Sequence, residues 1–161
     1  MDVTVCREHL EKLLGEEAAL LEQLQSVLEQ EHELLVANDV AGLERAGETR
    51  QACVGQLLRI EDERRSLCRM MNLPADVTGL ERLLAWCDAS GSLKKRWAEC
   101  AERAGRCREA NDRNGALVTA RLKKVEGMLD LLTGRAREAK TYGKQGTFQP
   151  ATPGPRVMVT V

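Results

Sequence analysis

Rings are scarce in this chain: one Phe, one Tyr and two Trp stand among 161 residues, although hydrophobic residues make up 43%. Compact α/β enzymes and β-sandwiches fill their interiors partly with aromatic side chains. A core this poor in rings argues instead for Leu- and Ala-rich helices packed along seams. Histidine is almost as rare, with two residues, so a nucleophile–histidine pair has few members to draw on. No GxSxG, GxGxxG or GxxxxGK[ST] pattern occurs. Gly143-Lys144-Gln145-Gly146 lacks both the spacing and the preceding strand of a phosphate-cradling loop. The six cysteines (Cys6, Cys53, Cys68, Cys87, Cys100, Cys107) never form a CxxC pair, and their spacing suits neither a zinc site nor a disulfide framework. Beside apolar residues at helical positions, a free thiol acts as a small hydrophobe, which points to a reducing compartment, the cytoplasm. The first residues show no basic region followed by an apolar one, so no secretion signal is expected. No run approaches the apolar length that spans a bilayer, which excludes stable membrane insertion.

Two fragments of metal motifs are too incomplete to use. Glu29-x-x-His32 is half of the ligand pattern of di-iron bundles, which also need a second such pair and two further glutamates. Cys6-x-x-His9 lacks the second pair of a zinc site. The expectation is a chain with no catalytic residues, no metal and no cofactor.

The net charge of −1 hides a strong asymmetry. Residues 1–37 carry nine acidic and two basic side chains, residues 38–91 nine and seven, and residues 92–161 seven and fifteen. An acidic first segment and a basic last one attract when packed side by side. Base-stacking aromatics are missing from the basic stretch, which weighs against a nucleic-acid partner.

What the chain does contain is helical periodicity. Leu13, Leu20, Val27 and Leu34 repeat every seven residues, as do Leu14, Leu21, Leu28 and Leu35, with Leu10 and Leu24 between the rows. This stripe predicts a helix from about Thr4 to Ala37, with Glu16, Glu17, Glu22, Glu29 and Glu33 mostly off it. Asn38-Asp39 interrupts the pattern and either residue can cap a second helix. That helix runs to about Met71, with Val40, Leu43, Val54, Leu57, Leu58, Leu67, Cys68 and Met71 inward and Gly47, Arg50 and Arg64 breaking the stripe. Leu73-Pro74 ends it. Thr78-Gly-Leu-Glu81 matches a capping box ahead of a short helix to about Cys87 that carries Leu80, Leu83, Leu84 and Trp86. Ser90 or Ser92 is the expected cap of the last helix.

In that last helix Leu93, Trp97, Cys100, Ala104, Cys107, Asn111, Asn114 and Val118 alternate four and three, and Leu122, Val125, Leu129 and Leu132 continue the seam. Asn111 and Asn114 therefore fall on the apolar face, where asparagines fix register or hydrogen-bond a neighbouring backbone. Gly105, Gly115 and Gly127 each cost about 1 kcal/mol relative to Ala, and a kink is expected, if anywhere, near Asn111–Gly115. After Gly134 the stripe stops. Residues 135–161 hold three of the four prolines and are expected to be a flexible tail in which Tyr142, the only Tyr, offers a docking anchor. The expected fold is all-α: an elongated antiparallel bundle of three long helices and one short one over residues 1–134, followed by that tail.

These residues, taken in order, resemble the FlgN family of flagellar type III export chaperones. The likeness rests on the leucine-striped first helix, Asn38-Asp39 leading through Leu43 and Glu44, and Arg64 near the end of the second helix. More specific are Asn111-x-x-Asn114-Gly115 and Thr141-Tyr142-Gly143-Lys144-Gln145-Gly146. The resemblance implies an ATP-independent cytoplasmic chaperone that binds the C-terminal segments of the hook-associated proteins FlgK and FlgL. It implies that the chaperone prevents their early assembly and delivers them to the membrane export apparatus, with the export gate and the export ATPase complex as partners. It places client binding on Leu117, Val118, Leu122, Val125, Leu129 and Leu132, and docking to the export gate on Tyr142, Gly143 and Gly146. Gly127 interrupts the client-binding helix, and the sequence after Gly146 follows no family pattern. The alternative reading is a coiled-coil scaffold, a homo-oligomer that self-associates through its long helices.

Overall fold

The computed structural model describes residues 1–134 as four α-helices: α1 (Val3–Ala37), α2 (Val40–Met70), α3 (Val77–Cys87) and α4 (Ser92–Thr133). No strand occurs among the described residues. The chain divides into two compact units, residues 1–112 and 113–161, so that α4 belongs to both.

In the first unit, α1 packs on both other long elements. Both of its leucine rows are used: Leu10, Leu13, Leu14, Leu20, Leu21, Leu24, Val27, Leu28 and Leu35 are all buried. The main core joins α1 to Cys53, Leu67 and Cys68 of α2, to Leu80, Leu83, Leu84 and Cys87 of α3, and to Leu93, Cys100, Cys107 and Ala110 of α4. A smaller cluster of Leu13, Leu20 and Ile60 lies between α1 and α2.

Two ion pairs define how α1 and α2 run. Arg64 Nη2 donates to Glu17 Oε1 at 2.9 Å, and Arg50 Nε donates to Glu31 Oε1 at 2.8 Å. The earlier residue of α1 meets the later residue of α2, so the helices are antiparallel. All four side chains are mostly buried. Arg50 and Arg64, expected to break the inward stripe, are part of it, and Glu17, expected on the solvent side, faces α2. Val40 and Leu58, expected inward, are exposed, while Ala46, Cys53 and Ile60 take the buried positions. The inward face of α2 is thus rotated toward its polar residues, because α1 presents carboxylates as well as leucines.

On its other side α1 meets α4 in parallel. Cys100 Sγ lies 3.9 Å from the Leu14 carbonyl and Cys107 Sγ lies 3.6 Å from the Leu21 carbonyl, each thiol donating across the interface. Both pairs are one heptad apart. A side chain as small as cysteine lets the backbones approach, which a leucine at these positions would prevent. Arg96 pairs with Glu11 at 3.4 Å and Arg103 with Glu22 at 3.8 Å, as the opposed charges of the two segments predict. These pairs are solvated and add little individually.

The connections explain where each helix starts. Asn38 and Asn72 adopt the left-handed conformation, with φ of 57° and 56°, and end α1 and α2 respectively. In each case the next amide bonds back across the last turn, Asp39 N to Leu34 O at 3.0 Å and Leu73 N to Cys68 O at 2.9 Å, closing a Schellman motif. The next helices then open with one local sequence, Asp-Val-x-Gly-Leu-Glu-Arg, at residues 39–45 and 76–82. The Asp39 carboxylate accepts from Gly42 N and the Asp76 carboxylate from Gly79 N, both at 2.9 Å. Glycine is required there: a Cβ would stand 2.6 Å from Asp39 Oδ2 at position 42 and 1.7 Å from Pro74 O at position 79. Asp76 therefore caps α3, and Thr78, the expected cap, lies inside the helix.

Neither Ser90 nor Ser92 is the main cap of α4. The buried Asp88 carboxylate takes that part, accepting from Leu93 N and Lys94 N at 3.0 Å each and from the hydroxyls of Ser90 and Ser92. Burial alone would raise its pKa. The amides of Lys94 and Leu93, the Ser90 hydroxyl and the charge of Arg7 outweigh that and hold it below the usual aspartate value.

Two predictions follow from these charges. Glu17 Oε2 and Arg64 Nε are buried without a hydrogen-bond partner among the described residues, so the pair is joined by one prong, and Arg64 Nη2 also lies 3.3 Å from Oε2 of the more exposed Glu61. Arg64→Ala should cost about 3–5 kcal/mol in urea denaturation, because it leaves a buried carboxylate uncompensated, whereas the double change Glu17→Leu, Arg64→Leu should recover most of that loss. Asp88→Ala should cost about 1–2 kcal/mol at neutral pH, as for a lost helix cap. A carboxylate with a depressed native pKa stabilises above its unfolded pKa and loses that contribution as pH falls through the native value. The gap between wild type and Asp88→Ala should therefore narrow in acid, as paired denaturation curves at pH 7 and pH 3 would show.

Candidate functional site

The second unit begins inside α4, and its described part runs from Arg113 to Gly134. Helical bonding continues through Asn111–Gly115 without a break. The helix ends at Gly134, whose φ of 76° is the left-handed value that a glycine after a helix adopts without strain. Gly127, expected to interrupt the apolar helix, stays within it, and a Cβ there would meet nothing. Thr119 and Thr133 return their hydroxyls to the carbonyls of Gly115 and Leu129 at 3.0 and 2.8 Å, so neither polar group competes for the apolar face.

Burial changes along α4 while the pattern of residue types does not. Asn111 and Asn114 are buried, as their place on the seam predicts. Leu117 and Val118 are half-buried. Beyond them Leu122, Val125 and Leu129 are each about half exposed, and Leu132 is 81% exposed. Two further residues flank this stripe and were missed in the four-three spacing: Met128 at 55% and Leu131 at 76% exposure, the second at the far edge, about half a turn round the helix from Leu122. They lie three residues after Val125 and Met128 respectively, the signal that widens a single stripe into a broad face.

Large apolar side chains left in water over about three turns are unusual enough to mark an interaction surface. The rest of this stretch is mixed, with Arg113, Arg121, Lys123 and Lys124 against Glu126 and Asp130. The face can therefore bury an apolar partner while basic residues set its orientation. Tyr142, Gly143 and Gly146, the expected docking residues, lie outside the described residues.

The remaining candidates for chemistry are occupied in packing. All six thiols are free and buried. Burial, with Cys87 and Cys68 as neighbours, pushes Cys6 up to about 12, and burial raises the other five as well. Such thiols are protonated and weakly nucleophilic near neutrality. Among the described residues no group of three or more His, Cys, Asp or Glu side chains is arranged to hold a metal ion, and no helix is long and apolar enough to cross a membrane.

A family model described as FlgN protein matches residues 1–150 of the chain. No curated protein and no solved structure matches it.

If the α4 face serves an interaction rather than the fold, it should be expendable for stability. The double change Leu131→Ser, Leu132→Ser should shift unfolding free energy by no more than about 0.5 kcal/mol per site, as for ordinary surface positions. Leu24→Ala, in the core, should cost about 2–5 kcal/mol. Parallel thermal melts would compare them.

Proposed function

The chain belongs to the FlgN family of flagellar export chaperones, and on that premise we propose that α4 captures the C-terminal helical segments of the hook-associated proteins FlgK and FlgL. The observation that carries the reading is the exposed apolar face of Leu122, Val125, Met128, Leu129, Leu131 and Leu132, with Leu117 and Val118 at its half-buried start. An amphipathic client helix anchors in this way through residues spaced three and four apart.

Magnitudes suit a holder that must also let go. Completing the burial of six such side chains, four of them already about half covered, contributes roughly 1–2 kcal/mol each. Lost rotational and translational freedom and the ordering of side chains oppose this by an amount of the same order. The surplus is moderate, so the complex is stable in the cytoplasm yet can be dissociated without ATP. Occupied in this way, the client cannot assemble early. Delivery to the export gate then falls to the segment beyond the helix, with Tyr142 between Thr141 and Gly143 as the anchor and Gly146 closing the motif. The export ATPase complex is a further partner of the same step.

The scaffold alternative needs a free leucine stripe on α1. Both rows of α1 are buried within the chain except for the half-buried Leu34, which favours the client-binding reading over self-association through that helix.

Titration calorimetry with the C-terminal segment of FlgK tests the proposal. Leu129→Ala, Leu132→Ala should weaken binding about 30-fold or more, the equivalent of two partly buried leucines. Tyr142→Ala should leave that affinity unchanged and lower binding to the export gate. Wild-type affinity in the leucine double variant would sink the assignment of α4.

A further inference from the structure

Net basic charge in this chain is confined to the second unit. Residues 113–161 carry nine basic and three acidic side chains, whereas residues 1–112 carry fifteen basic and twenty-two acidic. Four of the nine, Arg135, Arg137, Lys140 and Lys144, follow α4 directly, with Glu138 as the one acid among them.

Within α4 the two signs sort by face. Successive residues of a helix are turned by about 100°. The exposed apolar side chains therefore sweep about half the girth, from Leu131 through Met128, Leu132, Val125 and Leu129 to Leu122. Arg121 falls inside that arc, between Met128 and Leu132, and Lys124 falls between Leu131 and Met128. Glu126 and Asp130 fall outside it. The arginines earlier in α4, Arg96, Arg103 and Arg106, each hold a carboxylate. Among the described residues Arg121 and Lys124 hold none.

We propose that this face of α4 lies on the surface of an anionic lipid bilayer. The apolar side chains would enter the acyl boundary, and Arg121 and Lys124 would run their methylene stems along it and reach the phosphates with their charged ends. A helix with apolar residues over half its girth, bases among them and acids opposite, fits the plane of the interface. Stable attachment needs two signals, apolar insertion and a basic cluster. The chain supplies the second at Arg135, Arg137, Lys140 and Lys144. The breadth of the arc favours a bilayer over an acidic protein helix. One packed helix covers a narrower stripe, whereas an interface that immerses half the girth takes Leu131 and Leu122 together. No helix of the described residues is long and apolar enough to cross a membrane, so the attachment is peripheral. This inference stands without the client-binding reading, and its test contains no client.

The full chain is sedimented with vesicles of phosphatidylcholine alone and with vesicles of equal parts phosphatidylcholine and phosphatidylglycerol. It should partition onto the anionic vesicles at least about tenfold more strongly, and added salt should weaken that binding. Arg121→Glu with Lys124→Glu should lower it about 25-fold or more, at about fivefold per basic residue near the surface. Leu129→Asp with Leu132→Asp should abolish it without moving the thermal melt, since both positions are exposed. Leu58→Asp, at an exposed apolar position of α2, should leave it intact. No preference for the anionic vesicles, or binding to them that survives Leu129→Asp with Leu132→Asp, would overturn the proposal. So would failure to bind vesicles alongside capture of an amphipathic leucine–glutamate peptide by this face, because the occupant would then be an acidic protein helix.

Discussion

The two buried ion pairs between α1 and α2 obey a single register, and the rest of the first unit is built on it. Leucine rows are repetitive, and a helix that slides by one heptad along such rows still meets leucines. The charges remove that freedom. Glu17 and Glu31 are two heptads apart on α1, and Arg64 and Arg50 are two heptads apart on α2, so both pairs form together. A slip of α2 by one heptad would set Glu17 against Leu57 or Met71 and Glu31 against Leu43 or Leu57. Each slip would bury both carboxylates and the Arg50 guanidinium without partners and leave Arg64 only Glu61 of its own helix, at several kcal/mol per unpaired ion. The pairs need contribute little net stability to do this; they make every other register worse. The cysteine contacts to Leu14 and Leu21 fix α4 against α1 by shape instead, since only a small side chain allows the backbones so close.

This division explains which parts of the fold were legible in the sequence. The ends of α1, the turn at Asn38-Asp39 and the stop at Leu73-Pro74 follow from local chemistry, and the structure places them within a residue or two. The inward face of α2 followed only in part: Leu43, Val54, Leu57, Leu67, Cys68 and Met71 are buried or half-buried, but Val40 and Leu58 are exposed, and the buried arginines were missed because apolar periodicity treats a charge as a reason to face water. Arg50 and Arg64 look like interruptions until Glu31 and Glu17 are seen opposite them, and that requires knowing the register. The caps show a subtler limit. Thr78-x-x-Glu81 satisfies the capping-box pattern, yet Asp76 two residues earlier is as good a cap and has Gly79 at the position where a side chain would strike Pro74. Asp88 was hidden behind two serines because its reach to Leu93 and Lys94 crosses the turn.

The candidate surface on α4 was legible in a different sense. Periodicity shows which side of a helix is apolar, and it does so equally for a helix in a core and for one awaiting a partner. From Leu93 to Leu132 the seam is continuous in sequence, whereas burial fades after Val118. The residue types alone could not locate that change. Met128 and Leu131 were missed for a related reason: a strict four-three count finds the middle of a face and omits its flank.

Charge then adds to the meaning of the exposed apolar surface on α4. A chain of net charge −1 has no need to separate its acids from its bases for solubility, and interspersed signs would serve better. Here the acids collect on α1 and the bases collect on α4. Part of that separation is spent inside the first unit, on Glu11 with Arg96 and Glu22 with Arg103. These pairs lie near the middle of α1 and the start of α4. Arg121, Lys123 and Lys124 lie beyond the last of those contacts, on the same stretch as the exposed leucines of α4. Unneutralised charge beside exposed leucines adds selectivity to an apolar surface that would otherwise accept any amphipathic helix. For a chaperone this is the useful combination: apolar contact holds the helix, and the sign of the flanking charge decides which helix is held where.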